Sequence, residues 1–134
     1  MKQALGIRVH NPLNIRVSKS AWQGKVQQPS QKVFEEFTSD FYGYRAAAKL
    51  LMRYYREYKL QTIAQIISRW APESENNTAV YVQTVSDFMG WDAGKRLPEP
   101  SENKSTWILL VMGMARVEVG EIPSPQVIAK AFLQ

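Results

Sequence analysis

The chain has 134 residues, 45% of them hydrophobic, and no cysteine. It is long enough for one domain with a real core, and it offers neither a disulfide nor a thiolate ligand or nucleophile. His10 is its only histidine. That excludes a multi-histidine zinc centre, and a Ser-His-Asp triad would rest on a residue beside Asn11 and Pro12 in a loop. The balance of 17 basic to 12 acidic residues, net +5, favours an anionic partner. The cations are scattered, with no run longer than a pair, so no nucleic-acid stripe is expected.

Residues 1–37 read as irregular and partly β. The first residues, MKQALGIRVHNP, lack the apolar core of a signal peptide, so delivery outside the cytoplasm is expected to depend on something else. Asn11-Pro12-Leu13-Asn14 is a turn, because proline fixes its own φ and restricts the residue before it. Leu13, Ile15 and Val17 alternate with polar residues, and Val33 to Phe37 predicts a second short strand. The loop between them contains Trp22-Gln23-Gly24-Lys25 and the Gln/Pro/Ser stretch 27–31.

Residues 38–134 read as helical. A first helix from Ser39 or Asp40 to about Tyr58 places Tyr44, Ala47, Ala48, Leu51, Tyr54, Tyr55 and Tyr58 on one stripe. Thr62 with Gln65 forms a capping-box pattern for a second helix through Ile63, Ile66, Ile67 and Trp70, which Pro72 ends. Asn77 or Thr78 caps a third, with Tyr81, Val82, Val85, Phe88 and Met89 apolar and Gly90 as its stop. After a loop with Gly94, Pro98 and Pro100 comes the stretch 105–120, STWILLVMGMARVEVG. It is uncharged from Trp107 to Ala115 and apolar on every side, which suits a buried central helix and is too short to span a bilayer. Ser124-Pro125 opens a last short helix.

Glu118 lies at the end of that central helix, just before Gly120. Apolar neighbours such as Met114 and Ala115, together with the negative end of the helix dipole, disfavour its charged form. A carboxyl kept protonated near neutrality is what general acid catalysis needs. The alternative is an ordinary polar helix end pointing to water.

The run YRAAAKLLMRYYREYKLQTIAQIISRWAPESENNTAVYVQTV resembles the later part of the soluble lytic transglycosylases of the lysozyme superfamily. Arg45-Ala46-Ala47-Ala48 stands at that family's IRAGA-like motif. Trp70-Ala71-Pro72 stands near its AYNAG-like turn, without the Asn or Gly. Thr78, Tyr81, Val82 and Val85 stand at its ET-x-x-YV-x-x-V. GIRVHNPLNIR, WQGK and FEEFTSDFYGYRAAAKLL are similar to the series that follows the catalytic glutamate in bacterial glucosaminidases of the same superfamily. The whole chain also resembles small phage proteins, often labelled virion structural proteins, that share an RGIRNxNPxNI opening, WAPPxENxT and a VENG-like end.

In the lysozyme superfamily the catalytic glutamate lies on a helix that precedes the β region. Here only ten residues stand before the NPLN turn, and the apolar helix ending in Glu-x-Gly stands near the C-terminus. The resemblance therefore implies a mainly α (α+β) lysozyme-like domain, circularly permuted. It would comprise a small β-hairpin region and about five helices around a buried C-terminal core helix. Chain termini often lie together at the surface, so such a cut preserves a fold.

On this reading Glu118 is the catalytic acid of a peptidoglycan lytic transglycosylase or muramidase that cleaves the MurNAc-GlcNAc bond and needs no cofactor or metal. Tyr81, Trp70, Trp22 and Glu36 are the candidates for substrate binding. A partner carboxylate, if one is used, would come from Glu35, Glu36, Asp40 or Glu75; alternation allows only one of Glu35 and Glu36 to face a cleft. The expected partners are peptidoglycan glycan strands and other phage virion proteins, without nucleic acid and without a membrane span. The expected place of action is the host periplasm, reached from a phage virion. The competing expectation is a non-catalytic virion structural or glycan-binding protein on the same scaffold.

Overall fold

The computed structural model describes residues 3–74 and 76–133, and Glu75 lies outside the described residues. Among the described residues there are six helices, α1 (Leu5–Arg8), α2 (Asp40–Arg56), α3 (Ile63–Trp70), α4 (Thr78–Met89), α5 (Lys104–Val119) and α6 (Pro125–Phe132). The chain is mainly helical, as its periodicity predicts.

The helix ends follow from local chemistry. Thr62 accepts a hydrogen bond from the Gln65 backbone N–H, and the Gln65 side chain accepts from the Gln61 N–H. Asn77, Asn103 and Ser124 cap α4, α5 and α6 through their side-chain oxygens. Each satisfies a backbone donor that the helix itself leaves unpaired. Gly90 and Gly120 end α4 and α5 with φ of 64° and 77°, in the left-handed region where a β-carbon is penalised. α2 stops before Tyr58, and Lys59 then turns the chain at φ 56°.

The core forms where α5 meets α4, α6 and α1, while α2 packs on α6 and α3. Trp107, Leu110, Val111, Met114 and Ala115 of α5 are completely or almost completely buried. Trp107 meets Tyr55 of α2 edge-to-face at 5.4 Å. Their polar tips are both satisfied by the connecting loop. Trp107 Nε1–H donates to Pro98 O at 2.8 Å and Tyr55 O–H to Leu97 O at 2.7 Å. Two large aromatic residues can therefore be buried without stranding a donor.

Two expectations are corrected. The helix read as apolar on every side keeps one side in water, since Leu109 and Val117 are exposed. The hairpin is reduced to isolated antiparallel bridges, Arg16 to Phe34 and Lys25 to Phe37, with no extended strand among the described residues. Backbone bonds from Glu35 N to Ile15 O and from Val17 N to Val33 O hold the two segments together. Asn11 does the rest: its buried amide donates to Ile15 O and Glu35 O and accepts from Ile15 N. A side chain thus replaces the ladder that a longer strand pair would make.

Candidate active site

The NPLN turn and the last turn of α5 meet at Glu118. Asn14 N–H bonds to Asn11 O, closing the turn, and Asn14 itself sits at φ 54°. Asparagine tolerates that left-handed conformation better than most residues. From there its Nδ2 donates to Glu118 Oε1 at 2.9 Å and to Glu118 O at 3.3 Å. One amide group thus holds the carboxyl and also satisfies a carbonyl at the open end of α5. Close approach on both flanks fixes the turn. A β-carbon on Gly6 would fall 2.5 Å from Asn14 Oδ1 and 2.7 Å from Val119 Cγ1, and one on Gly43 would fall 2.2 Å from His10 O. α1 and α2 can press on the turn only because both positions are glycine.

Tyr81 of α4 supplies the second bond, its O–H donating to Glu118 Oε2 at 2.9 Å. Tyr81 is buried, and loss of solvent with the neighbouring Glu118 charge pushes its phenol well above the ordinary value. It therefore stays a neutral donor at any working pH. For Glu118 the balance runs the other way. Desolvation raises its pKa above the usual carboxylate value, and the bonds from Asn14 and Tyr81 and the charge of Arg16 oppose that rise without cancelling it.

Glu118 lines a cleft of about 510 Å³. Trp22, Phe34, Tyr54 and Trp70 give it aromatic walls, and Arg16 and Arg69 are the cations on its lining. Trp70 is held by its Nε1–H, which donates to Leu13 O at 3.0 Å, and by an edge contact with Tyr54 at 5.9 Å. Ala71, Pro72 and Asn76 continue the wall, anchored where Thr78 O–H bonds Ala71 O.

Of the predicted site residues, the structure brings Glu118 and Tyr81 into direct contact and sets Trp22 and Trp70 on the cleft. Glu36 is the exception. Its carboxyl accepts from Ser30 Oγ at 2.7 Å and Ser30 N at 2.8 Å, which hold it below the ordinary value, and it does not line the cleft. The other described candidates for a partner carboxylate, Glu35 and Asp40, are also engaged elsewhere. Glu35 turns inward to an ion pair with Lys25 at 3.1 Å. Asp40 pairs with His10 at 2.8 Å. Sequence reading missed Asn14, Arg16 and Arg69. An Asn closing a proline turn was the available signal for the first; scattered arginines gave none for the others.

No protein-family model matches the chain. Over 123 residues it is 35% identical to Protein P5 of Pseudoalteromonas phage PM2, an alignment that covers 90% of this chain and 74% of that protein. A helical domain with one solvent-poor carboxyl at an aromatic cleft thus has a phage protein as its relative. The chain belongs to the family of Protein P5 of phage PM2.

Proposed function

We propose that this protein cleaves peptidoglycan as a lytic transglycosylase on a circularly permuted lysozyme-like scaffold, carried by a phage particle and acting in the host periplasm. The observation that carries the reading is Glu118: one carboxyl, raised in pKa by desolvation, gripped by Asn14 and Tyr81, at the edge of an aromatic cleft. Kinship with a phage protein supports the setting.

In this reading a glycan strand lies along Trp22 and Trp70. Glu118, protonated, gives its proton to the oxygen of the MurNAc-GlcNAc bond as the bond to C1 breaks, leaving an oxocarbenium-like centre. Among the described residues Glu118 is the only carboxylate lining the cleft, so nothing else there activates a water. The muramoyl C6 hydroxyl then closes on C1 and returns its proton to Glu118. The product is a 1,6-anhydro end, which borohydride does not reduce.

The test is clearance of permeabilised Gram-negative cells by the wild type and by Glu118→Gln. General acid catalysis is worth about 100-fold or more, so the variant is expected to lose at least that much rate. Equal inactivity of the two folded proteins would instead favour a non-catalytic glycan-holding component of the particle. Reducible ends among the products would replace the transglycosylase with a hydrolase.

A further inference from the structure

Arg69 is the feature of the cleft that the proposed chemistry does not use. It lies on the residue before Trp70, is exposed, and lines the same cleft as Glu118. Its guanidinium sits 4.5 Å from the centre of the Tyr58 ring and 5.4 Å from that of Tyr54. No ion pair joins it to an acidic side chain among the described residues. Arg53 and Arg56, by contrast, are paired with Glu57 and Glu99.

A guanidinium laid against phenol faces keeps its charge and its planar edge of N–H donors. It loses little further freedom on meeting a ligand, and that edge matches a carboxylate. Arg16, the other cation of the lining, stands 5.9 Å from the Phe34 ring centre. The cleft therefore combines aromatic faces for sugar rings with positive charge for an anion carried on the sugar. The cations of the surface are too scattered to track a polyphosphate.

We propose that Arg69, on its Tyr54–Tyr58 shelf, is a carboxylate-binding subsite that makes the cleft select acid-bearing muramoyl glycan over uncharged glycan. This rests on the proposed activity for the identity of the polymer, and it adds a specificity-determining residue to it. Two sources offer the same chemistry: the free carboxylates of the peptide stems, and the lactyl carboxylate of muramoyl residues that carry no stem, since an attached stem ties that carboxyl up as an amide.

The experiment is co-sedimentation of the Glu118→Gln protein, with and without Arg69→Ala, on purified sacculi. The sacculi are native, treated with carbodiimide and ammonia to amidate their carboxylates, or treated with an amidase to strip the stems. The Glu118→Gln protein is expected to prefer native over amidated sacculi by about tenfold, the scale of one charge-assisted hydrogen bond at a partly open site. Adding Arg69→Ala should bring that ratio close to one, and Arg69→Lys, which keeps charge without the planar edge, should leave it between. Stripping frees the lactyl carboxylates, so Arg69-dependent binding to stripped strands that a subsequent amidation abolishes assigns the subsite to the lactyl group of stem-free residues, and no such binding assigns it to the stems.

A ratio that Arg69→Ala leaves unchanged in a protein with wild-type circular dichroism overturns the proposal. That result is separable from failure of the activity. Arg69-dependent binding without any cleavage by the wild type would remove the enzyme and keep the subsite. Cleavage with no Arg69-dependent preference would do the reverse.

Discussion

Glu118 combines two opposed demands at one side chain. Desolvation at the end of α5 favours the proton, while Asn14 and Tyr81 donate to the two oxygens and favour the charge. Removing a donor should therefore push the carboxyl further up. Tyr81→Phe and Asn14→Ala are each expected to shift the basic limb of the pH–rate profile on sacculi to higher pH. Each should also cost about 1 kcal/mol of stability in urea unfolding for the lost hydrogen bond. Stability should carry the same signature with a definite sign. A carboxyl whose folded pKa lies above its unfolded value holds more protons folded than unfolded between the two, so stability falls as pH rises through that window. Glu118→Gln is expected to be less sensitive to pH there and relatively more stable above it, read from thermal melts across pH 4 to 8, a range of about four units centred near neutral-acid. The place of Glu118 at the end of an apolar run was legible in the sequence, whereas the choice between a buried carboxyl and one pointing to water was open until its contacts with Asn14 and Tyr81 were placed. Asn14 was not, since its role depends on a contact between residues 104 positions apart.

At the scale of elements, the starts of α3, α4 and α6 and the stops of α4 and α5 could be read from Ser, Thr, Asn, Pro and Gly in their usual places, whereas α2 ends short of Tyr58 and the Asn103 cap of α5 was not read. The first forty residues could not. Alternation at Leu13, Ile15 and Val17 predicted a strand, yet the segments pair through isolated bridges and the Asn11 side chain. The same misreading put Glu36 at the cleft, because alternation separates two faces without saying which one meets the ligand. α1, a four-residue helix, is too short to show a period. It matters because it presses the NPLN turn onto α5. Gly43→Ala would bring a β-carbon against His10 O; moving the turn away is expected to cost about 1–3 kcal/mol. Activity should fall more than stability alone explains, a comparison made at a temperature where both proteins are folded. Trp107→Ala is expected to cost about 3–5 kcal/mol in the same unfolding measurement, by opening the centre of the core.

For the whole molecule, the composition pointed to a real core and excluded thiol chemistry; α5 meets α4, α6 and α1 in that core, while α2 packs on α6 and α3. Element order is where fold and sequence are hardest to join. α5 follows α4 in the chain, yet its last turn reaches the turn that follows α1. Were the scaffold a permuted one, the order would be exchangeable. A protein in which residues 104–133 precede residue 3 on a flexible linker is expected to fold and to clear cells at a rate within about tenfold of the parent, as permuted domains commonly tolerate. Loss of the fold in that arrangement would count against the permutation while leaving the cleft and its acid untouched.

The bond between Asn14 and Glu118 joins what is made early to what is made late. On a ribosome, or in any partly frayed molecule, that glutamate is an unremarkable side chain with no special hold on a proton. If the proposed activity holds, warming should accordingly silence cell clearance at a lower temperature than the one at which helical signal disappears. The clasp at the two ends would slip while the middle of the protein still stands.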